Sequence, residues 1–297
     1  MPLPRISILI PTIGDTNRLR GFLDQLDRLS ANPDIEVLLI VNSLQVPDYL
    51  FVIASDYGFK LLHEPRRGKS RALNLGIAAS QGEWIVFTDD DVRLPDDWLI
   101  KLIPGDIPDS INILGGRTLN DGCGPEWIEK SRNLHELLLC RHDLGSENVI
   151  YRYGKYPIGP NMAVRKKAII KSNANWPIDQ GPGTSLPVGD ETVFLSKISS
   201  ANDKDRLYIS DAVVYHPIDS RYLSIRAAAR RTFLGGYACG LIESSNGNPE
   251  SRNFSKPYDV IKQLRSIREL ICTATRAIGF AMGHLARKKQ CKHCPPT

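Results

Sequence analysis

The N-terminal third of the chain repeats one pattern, in which short apolar runs alternate with helical periodicities. ISILIPT (6–12) is apolar at nearly every position and ends at Pro11-Thr12, as suits a strand buried on both faces. After Asp15-Thr16, an N-cap signal, Leu19, Phe22, Leu23, Leu26 and Leu29 recur at helical spacing. EVLLIVNS (36–43) reads as a second buried strand and GFKLLHE (58–64) as a shorter third. SRALNLGIAAS (70–80) is helical, is stopped by Gly82, and leads to the strand WIVFT (84–88). Strands and helices alternating at this spacing predict an α/β fold, a mostly parallel sheet with helices on both faces. Ligands of such sheets bind outside the carboxyl ends of the strands. Pro11-Thr12, Asn42-Ser43 and Asp89–Asp91 all fall at those ends and are expected to share one crevice.

Beyond residue 95 the rhythm loosens. Helices are expected at 98–103, 126–140 and 189–199, and strands at 111–118 and 207–217. Residues 156–169 read as a turn and a strand running into a helix. The final third, from Tyr222, reads as helical: an Arg-rich segment at 225–236, a polar loop at 243–253, and a last helix from Tyr258 to about Lys289.

Composition changes this picture in one place. With 297 residues, 42% hydrophobic and 24% charged, the chain suits one large globular domain or a domain with an appendage. Its net charge of +5 is unevenly placed. Residues 256–297 hold nine Lys/Arg against two Asp/Glu, leaving the rest slightly acidic. A basic tail favours an anionic surface as partner and speaks against general nucleic-acid binding. The opening MPLPRISILIPT has no long apolar stretch with a cleavage site, which predicts a cytoplasmic chain. The six cysteines are too few and too irregular for a disulfide framework, and Cys291-x-x-Cys294 has no second ligand pair to make a zinc site.

Candidate chemistry concentrates at TDDDVRLP (88–95). Asp89 and Asp91 flank Asp90 at a strand end, a placement that suits a hard divalent cation, Mn2+ or Mg2+, which takes oxygen ligands and keeps positions open for phosphates. Adjacent acids before a Pro95-led helix would also serve as N-terminal charges. What precedes them decides between these readings. GKSRALNLGIAASQGEWIVFTDDD (68–91) resembles the inverting nucleotide-sugar glycosyltransferases of family 2, whose GT-A fold carries GK-x-x-ALN-x-G, then an alanine and a glycine, then an apolar strand ending in DxD. Gly68, Lys69, Ala72, Leu73, Asn74, Gly76, Ala79, Gly82, Asp89 and Asp91 match in order and spacing. SILIPTIG is similar to the family's opening strand, and the resemblance runs to about residue 236.

The resemblance implies metal-assisted transfer of a sugar from a nucleotide diphosphate sugar, with inversion, to a glycan or lipid-linked acceptor, as in cell-surface polysaccharide synthesis. It places Pro11, Thr12 and Asn42 near the nucleotide, where the family usually has an Asp at the position of Asn42. An Asn amide both donates and accepts, so it too can bond a base edge. Asp89, Asp91 and His216 become the metal set, with Asp90 beside the donor. Lys69, Arg71, Arg230 and Arg231 become diphosphate contacts, Arg offering a bidentate fork. The family's Glu-Asp at a helix start appears here reversed as Asp190-Glu191; either can act as base toward the acceptor hydroxyl, and the register favours Glu191. The transferase is expected over 1–236, with a nucleotide-binding half to about 95 and an acceptor half over 96–236, followed by a helical, basic extension at 237–297. A sugar-phosphate nucleotidyltransferase and a catalytically silent membrane-docking scaffold are the rival readings. In that extension Leu270, Ile271, Ala274, Ala277, Ile278, Ala281, Met282 and Leu285 fall on one helical stripe ahead of Arg287-Lys288-Lys289. The stripe is expected either to pack back on the catalytic domain or to make a weak anionic contact at the inner face of the membrane.

Overall fold

A computed structural model describes residues 6–15, 19, 22, 25, 32, 34–131, 134–152, 154–199, 203–246 and 266–292. The chain forms two compact units: Met1–Leu119, His142–Ser185 and Asp190–Pro217 make the first, and Asn120–Arg141, Leu186–Gly189 and Ile218–Thr297 the second.

The first unit is built on an eight-stranded sheet. Its strands are β1 (Ile6–Thr12), β2 (Ile35–Val41), β3 (Lys60–His63), β4 (Trp84–Phe87), β5 (Ile113–Asp121), β6 (Val149–Ile150), β7 (Met162–Arg165) and β8 (Arg206–Pro217), in the order β3-β2-β1-β4-β7-β5-β8-β6. β1 pairs in parallel with β2 and β4, and β2 with β3. The pairs β4–β7, β5–β7 and β6–β8 are antiparallel.

The apolar runs explain the layering. Alternate residues of a strand face opposite sides, and here both sides are core. Ile6, Ile8, Ile10, Val37, Leu39, Val41, Trp84 and Val86 enter one apolar cluster with Leu19, Phe22, α1 (Asp48–Asp56) and α3 (Trp98–Leu102). Leu9, Leu38, Ile40, Ile85 and Phe87 enter the other, against α2 (Lys69–Ala79), α5 (Lys166–Ser172) and α6 (Asp190–Ile198). Gly76 lets α2 press on the sheet, since a Cβ there would overlap Ile40 and Leu9. Leu19, Phe22 and Gln25 are helical as expected, whereas Thr16, Leu23, Leu26 and Leu29 lie outside the described residues.

The second unit departs from expectation twice. The helix expected over 126–140 is broken into α4 (Glu126–Glu129) and a wide π turn at His135–Leu139. Leu134, Leu138 and Leu139 are all buried, and His135 Nε2 lies 3.1 and 3.0 Å from the carbonyl oxygens of Ile128 and Glu129. Cys140 then closes the turn in the left-handed region, φ 53°. The second departure concerns α8 (Ile267–Lys292), which runs beside α7 (Ile225–Asn246). Added methyl groups at Gly236 and Gly240 would overlap the carbonyl oxygens of Arg276 and Phe280, and those at Gly279 and Gly283 would overlap Phe233 and Tyr237. The pair therefore packs backbone to backbone through a glycine face. All eight stripe residues from Leu270 to Leu285 are exposed, so the expectation that they pack back on the protein fails. The residues of α8 buried instead are Glu269, Cys272, Gly279 and Gly283. Cys123, Cys140, Cys239 and Cys272 are free thiols; His293, Cys294 and most of the expected 243–253 loop lie outside the described residues, as do 258–265 of the expected last helix.

Candidate active site

The strand ends deliver the acids to one place, and each then takes a different partner. Asp89 is ion-paired to Lys69 Nζ from the first turn of α2. Asp90 turns inward, where its Oδ2 accepts from Thr12 Oγ1 at 2.6 Å. Asp91 Oδ1 lies 3.9 Å from His216 Nε2. Counter-charge at this cluster thus comes partly from the chain itself, through Lys69.

Asp91 and His216 meet because of a short antiparallel bridge. Arg93 N donates to Tyr215 O at 2.8 Å and Tyr215 N to Arg93 O at 3.0 Å, and the Arg93 guanidinium lies 3.8 Å over the Tyr215 ring. One ligand atom from each of Asp89, Asp91 and His216 falls within 4.8 Å of the others. His216 Nδ1 stands 2.7 Å from the Pro217 carbonyl oxygen, which can only accept. Nδ1 therefore donates to that oxygen, and in the neutral tautomer that keeps this bond Nε2 is the nitrogen able to ligate a cation. Two carboxylates and an imidazole suit Mn2+ better than Mg2+.

A second set of acids approaches from α6. A Cβ on Gly159 would stand 3.0 Å from Glu191 Oε1 and 3.7 Å from Lys69 Nζ, so these two side chains share that surface. Asp190 is buried, its carboxyl packed on Gly181, whose φ of +94° and lack of a side chain make room for it. Burial, then the charge of Glu191, pushes the Asp190 carboxyl well above the ordinary Asp range, against the pull of Lys69. Burial acts the same way on Asp89, but Lys69 and His216 outweigh it and hold that carboxyl low. For Lys69, burial is outweighed by Asp89, Glu191 and Asp190, and the ammonium stays protonated well above its ordinary range.

α6 is held in register by aromatic packing. Trp176 stacks on Phe194 at 4.6 Å, and Phe87 at the end of β4 lies 5.4 Å from Trp176. Asn74 fixes Trp176 by donating to its carbonyl at 3.0 Å and accepting from its N–H at 2.9 Å. The start of α2 is tied to the same segment, with Lys69 N donating to Pro182 O at 3.0 Å and Ser70 Oγ to Gln180 O at 3.0 Å.

Asn42 is occupied by its own chain. Its Nδ2 donates to the carbonyls of Glu64 (2.9 Å) and Arg66 (2.8 Å), and its Oδ1 accepts from Gly68 N (2.9 Å). Both amide hydrogens are used in clamping the 64–68 turn, which leaves Oδ1 as the atom with spare capacity for a base edge. Glu64, absent from the sequence expectations, grips Arg66 through two bonds of 2.8 Å, and its carboxyl is held low chiefly by that guanidinium.

Residues 7–171 match the family model for glycosyl transferase family 2. The chain belongs to this family. Within curated proteins it is 32% identical over 94 residues to the uncharacterized glycosyltransferase EpsJ of Bacillus subtilis, a match covering 30% of this chain and 26% of that one. The chain thus matches about a quarter of the length of that curated relative. Among solved structures it is similar to the mannosyltransferase PcManGT of Pyrobaculum calidifontis in complex with GDP-Man and Mn2+, with 15% identity and TM-score 0.60 over 99% of this chain and 77% of that one. It is also similar to S. aureus TarS 1-349, with 14% identity and TM-score 0.53 over 96% and 92% of the two chains. These likenesses are of fold, and they bear out the GT-A expectation.

Of the family 2 positions singled out in the sequence, Thr12, Lys69, Asp89, Asp90, Asp91, Asp190, Glu191 and His216 lie in the first unit with the contacts described. Pro11 is buried in β1 beside Ile40, and Arg71 contributes to the field at Glu64. Arg230 and Arg231 belong to the second unit. Arg231 donates through Nε to Leu137 O at 2.6 Å and lies 4.2 Å over the Tyr222 ring, while Arg230 is exposed. The Arg93–Tyr215 bridge went unread because nothing local in either segment names a partner over a hundred residues away.

Proposed function

We propose that this family 2 protein transfers a sugar from a nucleotide diphosphate sugar to an acceptor hydroxyl with inversion at the anomeric carbon. The observation that carries this reading is the arrangement of Asp89, Asp91 and His216, one ligand atom of each lying within 4.8 Å of the others. A divalent ion held there, Mn2+ by the donor set, would supply positive charge to the leaving diphosphate. PcManGT, the fold neighbour solved with GDP-Man and Mn2+, makes a nucleotide diphosphate donor the natural class to test.

The remaining residues divide the work. Glu191 takes the acceptor proton as the acceptor oxygen bonds to the anomeric carbon and the bond to the diphosphate oxygen breaks. Asp190, favoured as the protonated member of the pair, leaves Glu191 free to act as the base. Lys69 balances Asp89 and Glu191, and Thr12 keeps Asp90 turned inward. In this reading residues 1–236 carry the transferase, and the acceptor is a glycan or a lipid-linked sugar of the kind used in cell-surface polysaccharide synthesis. Family membership favours sugar transfer over nucleotidyl transfer.

Thermal unfolding in the presence of a panel of nucleoside diphosphates and their sugars, with Mn2+, Mg2+ or chelator, tests the proposal. Stabilisation by at least one nucleotide that disappears in chelator is expected. A panel in which no nucleotide stabilises under any metal condition would overturn it.

A further inference from the structure

The second unit holds a helix turned inside out. A surface helix of a globular protein ordinarily buries its apolar stripe. α8 instead buries glycines against α7 and leaves its stripe in solvent, with Ile278 56%, Met282 51% and Leu285 58% exposed. At about 100° per residue the eight stripe positions span an arc of roughly 140°, opposite the buried arc of Glu269, Cys272, Gly279 and Gly283. Close packing through Gly-x-x-x-Gly on both partners, with apolar side chains pointing away, is how helices pair when their surroundings are lipid. Yet no described helix is long and apolar enough to cross a membrane.

The charges say what covers the stripe. α8 contains Arg268, Arg276, Arg287, Lys288, Lys289 and Lys292 and one acid, Glu269. That acid is buried and accepts from Ser131 Oγ, while Arg268 is exposed and Arg276 and Arg287 are half-buried, so the helix as a whole carries a net positive charge. A second copy of the chain on this face would bring two such basic helices together, a like-charge arrangement that disfavours pairing. We propose that α8 lies in the plane of an anionic lipid bilayer, its Ile/Leu/Met stripe in the acyl boundary and the net positive charge of the helix drawing it to the phosphates. Such docking needs neither donor nor metal and is independent of the transferase reading.

Co-sedimentation of the full chain with phosphatidylcholine vesicles, and with vesicles that also contain phosphatidylglycerol, tests this. Pelleting is expected with the anionic vesicles and should fall on raising salt, by about fivefold for each basic residue whose contact is screened. The triple variant Ile271→Ser, Ile278→Ser, Leu285→Ser should keep the parent's thermal stability, because these side chains are exposed, and lose pelleting by about tenfold or more per site. Failure of the parent to pellet with anionic vesicles, equal pelleting with both vesicle types, or equal pelleting of the triple variant would each overturn the proposal. A parent that does not pellet but is a dimer by light scattering, and a monomer as the triple variant, would also overturn it and give the face to a second copy.

Discussion

At the end of β4 and at the start of α6 the chain sets acids side by side, Asp89–Asp91 in one place and Asp190-Glu191 in the other. The first group is spread over separate partners: Lys69 for Asp89, Thr12 for Asp90, His216 for Asp91. In the second, Asp190 is buried beside the half-buried Glu191, and burial and that neighbouring charge drive Asp190 toward its protonated form. Adjacent carboxylates therefore carry no fixed meaning. At Asp89, Lys69 and His216 hold the carboxyl low against burial; at Asp190, burial and another acid push it high. Lys69 links the groups, since both bear on its ammonium.

The sharpest way to break this contrast is at Asp91. Asp91→Asn should reduce sugar transfer to background and remove Mn2+-dependent stabilisation by nucleotide, measured by turnover and thermal shift, while the metal-free protein melts as before. Full turnover in that variant, or in excess chelator, would remove the metal from the site. A smaller but still large loss is expected at α6. Glu191→Gln should lower kcat by about 10²–10⁴-fold with donor KM little changed, and Asp190→Asn should cost less, because Asn still offers a neutral donor beside Glu191. The opposite ranking would exchange the roles of the two acids.

The smallest effect is on stability. Asp190 keeps its proton in the fold at pH values where the unfolded chain, with an ordinary Asp near 3.8, has released it. The folded state then binds more protons, so this contribution is full below that value and is lost as pH rises through the folded-state pKa. Asp190→Asn cannot ionise and lacks that loss. The melting temperature of the variant relative to the parent should therefore climb from about pH 4 toward neutrality. Parallel curves across that range would mean that Asp190 titrates as an ordinary surface acid.

Much of the parallel half of the sheet was legible in the sequence, for a physical reason. β1, β2 and β4 are covered on both faces, so nearly every residue must be apolar, and the run itself announces the strand and its end. Thr12, Asn42 and Asp89 could be placed at strand ends because they close such runs. Residues 126–140 were misread because the helical period there is a local property, whereas the break is set by distant partners. Ser131 binds Glu269, and the Leu137 carbonyl accepts from Arg231 Nε. The stripe of α8 was legible as a stripe, but not the side it faces. That choice depends on glycines in α7 and α8 finding each other's carbonyls across a segment outside the described residues.

The amide of Asn42 bears on how this chain compares with its family. Asp is nearly the same size as Asn, and a comparison by volume would treat an exchange between them as minor. In hydrogen-bond polarity the two are opposed at this spot, for Asn42 points two donors at the carbonyl oxygens of Glu64 and Arg66. A carboxylate there would aim lone pairs at lone pairs and release the turn that sets the first residue of α2. The residue that departs from the usual family pattern is thus wired to a turn shaped for it, and the two would have to change together.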